Sequence, residues 1–311
     1  MLFFSESDVR QLLPMGMAID RMRKAFAELA AGRAQNQSRR RLVLPSGSVL
    51  HSMAGAFGGY FGTKIYSTHP RHGAHFLFAL FSAEDARPLA LFEANYLGQI
   101  RTGAASGFAA DVLARRDSET IAVIGTGFQA RSQLEGVLAV RSIRNVRVWS
   151  RSPAKRRQFA DECSAMSGVA IEAVDSAETA VRGADIVVTA TSSKEPVLDA
   201  EWVAPGAHVN AAGSNQADRR ELPAGLVRRA DAVVVDSLEQ ARLESGDLLM
   251  ALDEAGWARV RELKDVTGRP ADRGAITIFK SNGLGLEDVA AASYVYESAG
   301  EGTRTLPLFH S

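Results

Sequence analysis

Residues 120–140 run TIAVIGTGFQARSQLEGVLAV. An apolar, β-branched stretch ends in Gly125-Thr126-Gly127-Phe128-Gln129-Ala130 and passes into a segment with helical spacing of its apolar residues. Each small residue of this Gly-x-Gly-x-x-Ala turn has a steric task. Gly125 permits the tight turn, Gly127 lets a pyrophosphate approach the backbone, and Ala130 lets the helix pack on the strand. The helix N-terminus then offers unpaired N–H groups to the phosphates, and Phe128 and Gln129 join the candidate cofactor contacts. The same alternation continues downstream. A helix runs through Ala139, NVRVWS follows, and a second helix covers roughly 153–166. VAIEAV, a short helix to Arg182, DIVVTAT, HVNAAG and DAVVVDS come next. Several of these strands are nearly continuous apolar runs, as a parallel sheet covered on both faces requires. The pattern predicts a Rossmann-type doubly wound parallel sheet over residues 116–283, its last strand ending near Phe279.

The second strand ends about twenty residues past Ala130, where an NAD enzyme places an acid on the ribose hydroxyls. This chain has Ser150-Arg151-Ser152 there, and residues 136–160 hold seven Arg or Lys and no Asp or Glu. A guanidinium pairs bidentately with a 2′-phosphate and stacks on adenine. NADP(H) is therefore favoured over NAD(H), with Ser150, Arg151 and Ser152 as its contacts. The rest of the basic run can be a solvated face.

Upstream the texture changes. Ser5 or Ser7 can cap a first helix through Val9, Leu12 and Leu13, and Ile19, Met22, Phe26 and Leu29 mark a second that stops at Gly32. Short β-rich runs fill residues 39–91, broken by Pro45-Ser46-Gly47, Gly58-Gly59 and Arg87-Pro88. The Ala-rich segment 101–116 reads as a connecting helix. Residues 1–115 thus form an α+β domain, completed by a C-terminal helix over 284–311. The 311 residues suit two domains, and 36 Lys+Arg against 36 Asp+Glu leave no bulk charge to hold nucleic acid or an anionic membrane. A lone Cys163 excludes an intrachain disulfide. The N-terminus carries Glu6 and Asp8 and no long apolar run, so neither a signal peptide nor an anchor is expected. A cytoplasmic protein fits best.

Six stretches now stand in order: GTKIYSTHP, LGQIRTGAASGFAADVLA, IAVIGTGFQARSQL, ADIVVTATSSKEPVL, PGAHVNAAGSNQADRREL and ITIFKSNGLGLEDVAAA. Through them the chain resembles the ornithine cyclodeaminase/mu-crystallin family along nearly its whole length. The resemblance implies a substrate-binding and dimerisation domain beside the Rossmann domain, a homodimer, and an active site in the cleft between domains. Lys64 in GTKIYS matches a lysine that contacts the substrate and exchanges protons with it. Arg101 in RTGAA matches the arginine that clamps an α-carboxylate. Arg39 is the second clamp, with Arg41 as fallback because alternate strand residues share a face. Thr189, Thr191, the backbone of 211–215 including Ala212 and Gly213, and Ser281-Asn282 match nicotinamide-side contacts. Independently of the name, a fixed guanidinium aims an amino acid's α-carbon at the ring for hydride transfer. Arg101 at a helix start would also call for an anion to offset the helix dipole. A salt bridge for Arg101 and a surface position for Lys64 are the structural alternatives.

One position departs from the family. Cyclodeaminases place an Asp after the VNAAG-like strand to serve the amine chemistry; here it is Asn215, which cannot accept a proton as a carboxylate does. Asp218 lies nearby in sequence. The departure favours hydride transfer between NADP(H) and a small α-amino or α-imino acid, of ketimine-reductase or amino-acid-dehydrogenase type. Two alternatives stay open: true ornithine cyclodeamination to proline and ammonia with bound NAD, and a non-catalytic crystallin-like binder of NADPH and a small ligand. His69, His72 and His75 lack the spacing and carboxylates of a metal site, so none is expected. Cys163 and the three tryptophans read as packing.

Overall fold

The computed structural model describes residues 1–270 and 272–307. The chain divides into two compact units, one formed by Met1–Arg101 with the chain from Gly283 onward, the other by Thr102–Asn282. The first boundary expected from sequence was 115/116. It lies earlier because the connecting helix starts earlier, at Asn95, and runs to Leu113. Its first N–H groups have a distant cap: Asn95 and Tyr96 donate to the two oxygens of Glu6 at 2.8 and 2.6 Å. Arg101 is therefore well inside the helix, and the dipole argument made for a helix start does not apply to it.

In the first unit the strands are β1 (Leu2–Phe4), β2 (Gln35–Val43), β3 (Val49–Phe57), β4 (Tyr60–His69), β5 (Gly73–Ser82) and β6 (Pro88–Glu93). They form one sheet in the order β1-β6-β5-β4-β3-β2. β2 to β6 are an antiparallel meander, and β1 adds parallel to β6. A register shift between Gln37 and Arg40 interrupts β2. Strict alternation fails there, so Arg39 is buried while Arg40 and Arg41 are exposed. Arg41 is not an equivalent of Arg39.

One sheet face packs on the helix Gly285–Glu297. This helix is buried nearly all round, and its Ala290-Ala291-Ala292 run keeps it slim enough to be enclosed. At its N-terminus backbone meets backbone. A Cβ on Gly285 would lie 2.6 Å from the Ala54 carbonyl oxygen, and one on Gly55 would lie 2.5 Å from the Leu286 nitrogen. The helix expected over 284–311 ends at Glu297; Thr305 then bridges Leu2, and 308–311 lie outside the described residues. The other sheet face is apolar and exposed. Leu42 opposes Leu50 and Ile65 opposes Leu77 across the ladders, each exposed by 43% or more.

The second unit holds β7 (Thr120–Ile124), β8 (Asn145–Trp149), β9 (Ile171–Ala173), β10 (Ile186–Thr189), β11 (His208–Ala211), β12 (Ala232–Val235), β13 (Arg261–Glu262) and β14 (Thr277–Lys280). All pair parallel in the order β13-β12-β14-β11-β10-β7-β8-β9. This is the doubly wound α/β sheet. Alternate residues feed two cores: Ala122, Ile124, Val187 and Val209 on one face, Ile121, Val123, Val146 and Val148 on the other. The order reverses beside β7, which makes the carboxyl ends of β7, β8 and β10 the expected ligand crevice. No helix among the described residues is long and apolar enough to cross a membrane.

Candidate active site

A cavity of about 1230 Å³ opens at those strand ends in the second unit. Gly125 to Gln129 line it after β7, Ser150 to Ser152 after β8, and Ala190 to Ser193 after β10. Gly125 has φ +108°, and a Cβ there would lie 2.4 Å from the Ala190 oxygen, so only glycine fits. At Gly127 the nearest atom to an added Cβ is the Ala190 oxygen at 4.0 Å, which leaves the approach open. Gly127 also N-caps the helix Phe128–Leu138 without any side-chain bond, which sets the positive end of the helix dipole at the cavity. Gln129 Oε1 is buried without a partner. These features fit a dinucleotide. Ala130 is fully buried under the turn.

The basic run separates into two groups. Arg141 binds the carbonyls that end the helix Asn95–Leu113. Arg144 pairs with Glu119, and Arg147 holds the Thr179 and Arg182 carbonyls. Arg156 is buried, pairs with Asp175 and donates to the Ser150 carbonyl at 3.4 Å. Ser152 caps its own helix through Lys155 N, and Ser150 Oγ accepts from Thr126 Oγ1 at 3.2 Å. Arg151 and Lys155 remain as exposed cations on the cavity wall, with no ion pair among the described residues. Of the three acids that line the cavity, Asp175 is engaged by Arg156 and Glu178 by Arg182 at 2.6 Å, and Asp199 lies after Leu198, at the start of the Ala200–Trp202 turn.

Thr191 and Gly213 line the cavity; Ala212, Thr189 and Ser281 do not. The Thr189 side chain instead donates to Glu221 at 3.0 Å inside the unit, and Ser281 is buried near Asp236. Asn215 sits half-buried in the loop after β11, and Asp218 is exposed.

In the first unit three expected residues are buried together, and two unexpected ones join them. Lys64 of β4 is 3% exposed and donates to Asp288 Oδ1 at 3.1 Å. Arg101 Nε donates to the same oxygen at 3.2 Å, and Nη1 donates to Glu287 Oε2 at 2.6 Å. Arg39 Nη2 reaches the Gly283 carbonyl at 3.4 Å. Lys64 is no surface lysine. Burial pushes its pKa down to about 8, with Arg101 and Arg39 adding to the depression and Asp288 opposing it. Its ammonium lies against Gly98, where a Cβ would come within 2.6 Å of Nζ. The anion beside Arg101 is supplied by the chain itself. Glu287 and Asp288 were given no role from the sequence because their partners Lys64 and Arg101 lie far along the chain. The available signal was two adjacent carboxylates in an otherwise apolar helix. Among the described residues no group of three or more His, Cys, Asp or Glu is arranged to hold a metal.

A parallel dinucleotide-type sheet and a buried lysine–arginine–carboxylate cluster define a class of nicotinamide-linked enzyme. The profile of the ornithine cyclodeaminase/mu-crystallin family matches residues 1–303, and the chain belongs to that family. It is 36% identical to an alanine dehydrogenase of Archaeoglobus fulgidus, over 96% of this chain and 95% of that one. It is 35% identical to a Δ1-pyrroline-2-carboxylate reductase of Bacillus cereus, over 96% and 97%. Among solved structures, Δ1-pyrroline-2-carboxylate reductase of Thermococcus litoralis, in complex with NADH and L-proline, superposes with a TM-score of 0.91 at 34% identity, covering 96% of this chain and 97% of that one.

Proposed function

We propose that this protein is an NAD(P)H-dependent reductase of cyclic ketimines and related α-imino acids, acting in reverse as an amino-acid dehydrogenase. The observation that carries this reading is the buried lysine with its pKa drawn toward neutrality, set among two arginines and two carboxylates. The names of the relatives point the same way. The second unit holds the dinucleotide and the first holds the substrate. When bound, the dinucleotide supplies a hydride to the imine carbon, or takes one from the amine carbon. Arg101 and Arg39 fix the substrate carboxylate; Glu287 and Asp288 orient the Arg101 guanidinium, whose five donors in a rigid fork suit such a clamp. Lys64 delivers the proton that the nitrogen gains as the carbon is reduced, and recovers it in the reverse direction. Asn215 lacks the proton affinity that cyclisation of a diamino acid requires, so ornithine is not a cyclodeamination substrate.

Arg151 and Lys155, free of acids at the end of β8, favour NADPH over NADH. The apolar outer face of the β2–β5 sheet suits a homodimer contact, since an exposed apolar patch of this extent on a monomer is unusual. The buried Cys163 is compatible with a cytoplasmic setting.

The test is NADPH and NADH oxidation with pyrroline-2-carboxylate and piperideine-2-carboxylate. The expected result is turnover of at least one imine, faster with NADPH. Dinucleotide binding with no turnover on any imino or amino acid would replace the reading with a storage role. Ammonia and proline from ornithine, with no net change in the dinucleotide, would replace it with cyclodeamination.

A further inference from the structure

Glu221 lies outside every role given above, yet it joins three segments of the cavity wall. Its Oε1 accepts from the backbone nitrogen of Thr191 at 2.6 Å, in the loop after β10. Its Oε2 accepts from the backbone nitrogen of Gly213 at 2.8 Å, in the loop after β11, and from Thr189 Oγ1 at 3.0 Å. Its own carbonyl accepts from Val197 N at 2.8 Å. Thr191, Val197 and Gly213 all line the cavity. Glu221 itself is fully buried.

A second layer fixes Glu221. Asp247 Oδ1 accepts from the nitrogens of Glu221 and Leu222 at 2.6 and 2.8 Å. Asp247 Oδ2 lies 3.1 Å from Lys280 Nζ, and that ammonium also donates to the Ser214 carbonyl at 2.5 Å. Glu221, Asp247 and Lys280 are all 1% exposed or less. Burying two carboxylates and an ammonium is unfavourable unless each is paired and hydrogen-bonded. Packing alone does not call for charge here: apolar residues could fill the same volume. What the charges achieve is a junction of loops that no apolar side chain could make, because each bond to the Glu221 carboxylate comes from a donor. Crowding keeps the junction tight, since a Cβ on Gly213 would lie 2.3 Å from Thr191 N and 2.4 Å from Glu221 Oε1.

We infer that Glu221 is a positioning residue for the dinucleotide. Its carboxylate locks the loops after β10 and β11 into the wall that receives the cofactor, and Thr189 acts through Glu221 rather than on the ligand. This rests on the cavity being the dinucleotide site, as proposed above. A preformed wall improves affinity because ordering is complete before the ligand arrives.

The variants Glu221→Gln, Thr189→Val and the double variant test it, with dinucleotide affinity read from the fluorescence of Trp149 and Trp202, which line the cavity. An amide turns an N–H against one of the backbone donors, so Glu221→Gln should weaken NADPH binding about tenfold, near 1.4 kcal/mol. The KM for the dinucleotide should rise in step, and kcat at saturating dinucleotide should stay within about twofold. Thr189→Val should weaken binding about threefold alone and not at all in the Glu221→Gln background, since coupled residues are not additive. Should Glu221→Gln fail to fold, Thr189→Val still decides: an unchanged affinity overturns the inference. It is also overturned if Glu221→Gln lowers only the melting temperature, or if the effects of the two substitutions simply multiply. Failure of the wild-type protein to bind NADPH or NADH would instead refute the functional reading itself.

Discussion

In the proposed reaction Lys64 is the residue on which the chemistry turns, and its environment predicts the sign of the pH dependence. With a pKa near 8 it carries its proton below that value and has lost it above. As donor in imine reduction it should give a kcat/KM that falls as pH rises through about 8; in amino-acid oxidation the same group must accept a proton, so that rate should rise over the same interval. Lys64→Met should lower kcat by about 10²–10⁴-fold, the range for a lost general acid, and leave dinucleotide affinity unchanged. Arg101 needs a gentler substitution. Removing it takes a cationic partner from buried Glu287 and leaves Asp288 to Lys64, which is worth about 3–5 kcal/mol of stability. Arg101→Lys keeps the charge and loses the fork, so the KM for the imino acid should rise well over tenfold while NADPH binds as before; equal loss of both would make Arg101 structural. Lys64 and Arg101 were named from the sequence because each sits in a short motif, and the fold buries them side by side on Asp288. Glu287, Asp288 and Glu221 were not, since their partners lie far along the chain and only the fold brings them together.

At the scale of elements, the Gly125 turn and the strands around it follow from local chemistry, and Gly125→Ala should abolish dinucleotide binding through its φ of +108° and the contact with Ala190. The start of the helix Asn95–Leu113 was misread because its N-terminal N–H groups are capped by Glu6 from elsewhere in the chain. Its end is likewise held from outside. Arg141 Nη2 donates to the Ala110, Asp111 and Ala114 carbonyls at 2.9, 2.8 and 3.0 Å, and Arg269 Nη1 to that of Leu113 at 2.9 Å. Arg141→Met should lower stability by about 1.5–3 kcal/mol, seen as an earlier thermal midpoint with unchanged NADPH affinity. β1 was invisible for a different reason: with three residues it carries no readable period, and its pairing with β6 makes it a strand.

At the scale of the molecule, composition and the βα alternation disclosed an α+β part and a Rossmann-type part. The order of the sheet was not disclosed. β14 inserts between β11 and β12, a choice made by packing on both faces and not by any local signal. The exposed apolar sheet face leads to an assembly prediction. Sedimentation should show a dimer, and Ile65→Arg, which puts a charge at the middle of that face, should shift it to monomer; a wild-type monomer would remove the assignment. Transfer of the hydride itself is open to direct observation by mass spectrometry. NADPH deuterated at the transferable position of its nicotinamide ring, incubated with pyrroline-2-carboxylate and this protein, should yield proline carrying one deuterium at the α-carbon. Proline without the label, or no α-deuterated amino acid from this or any other imino acid, would contradict the assignment as a reductase.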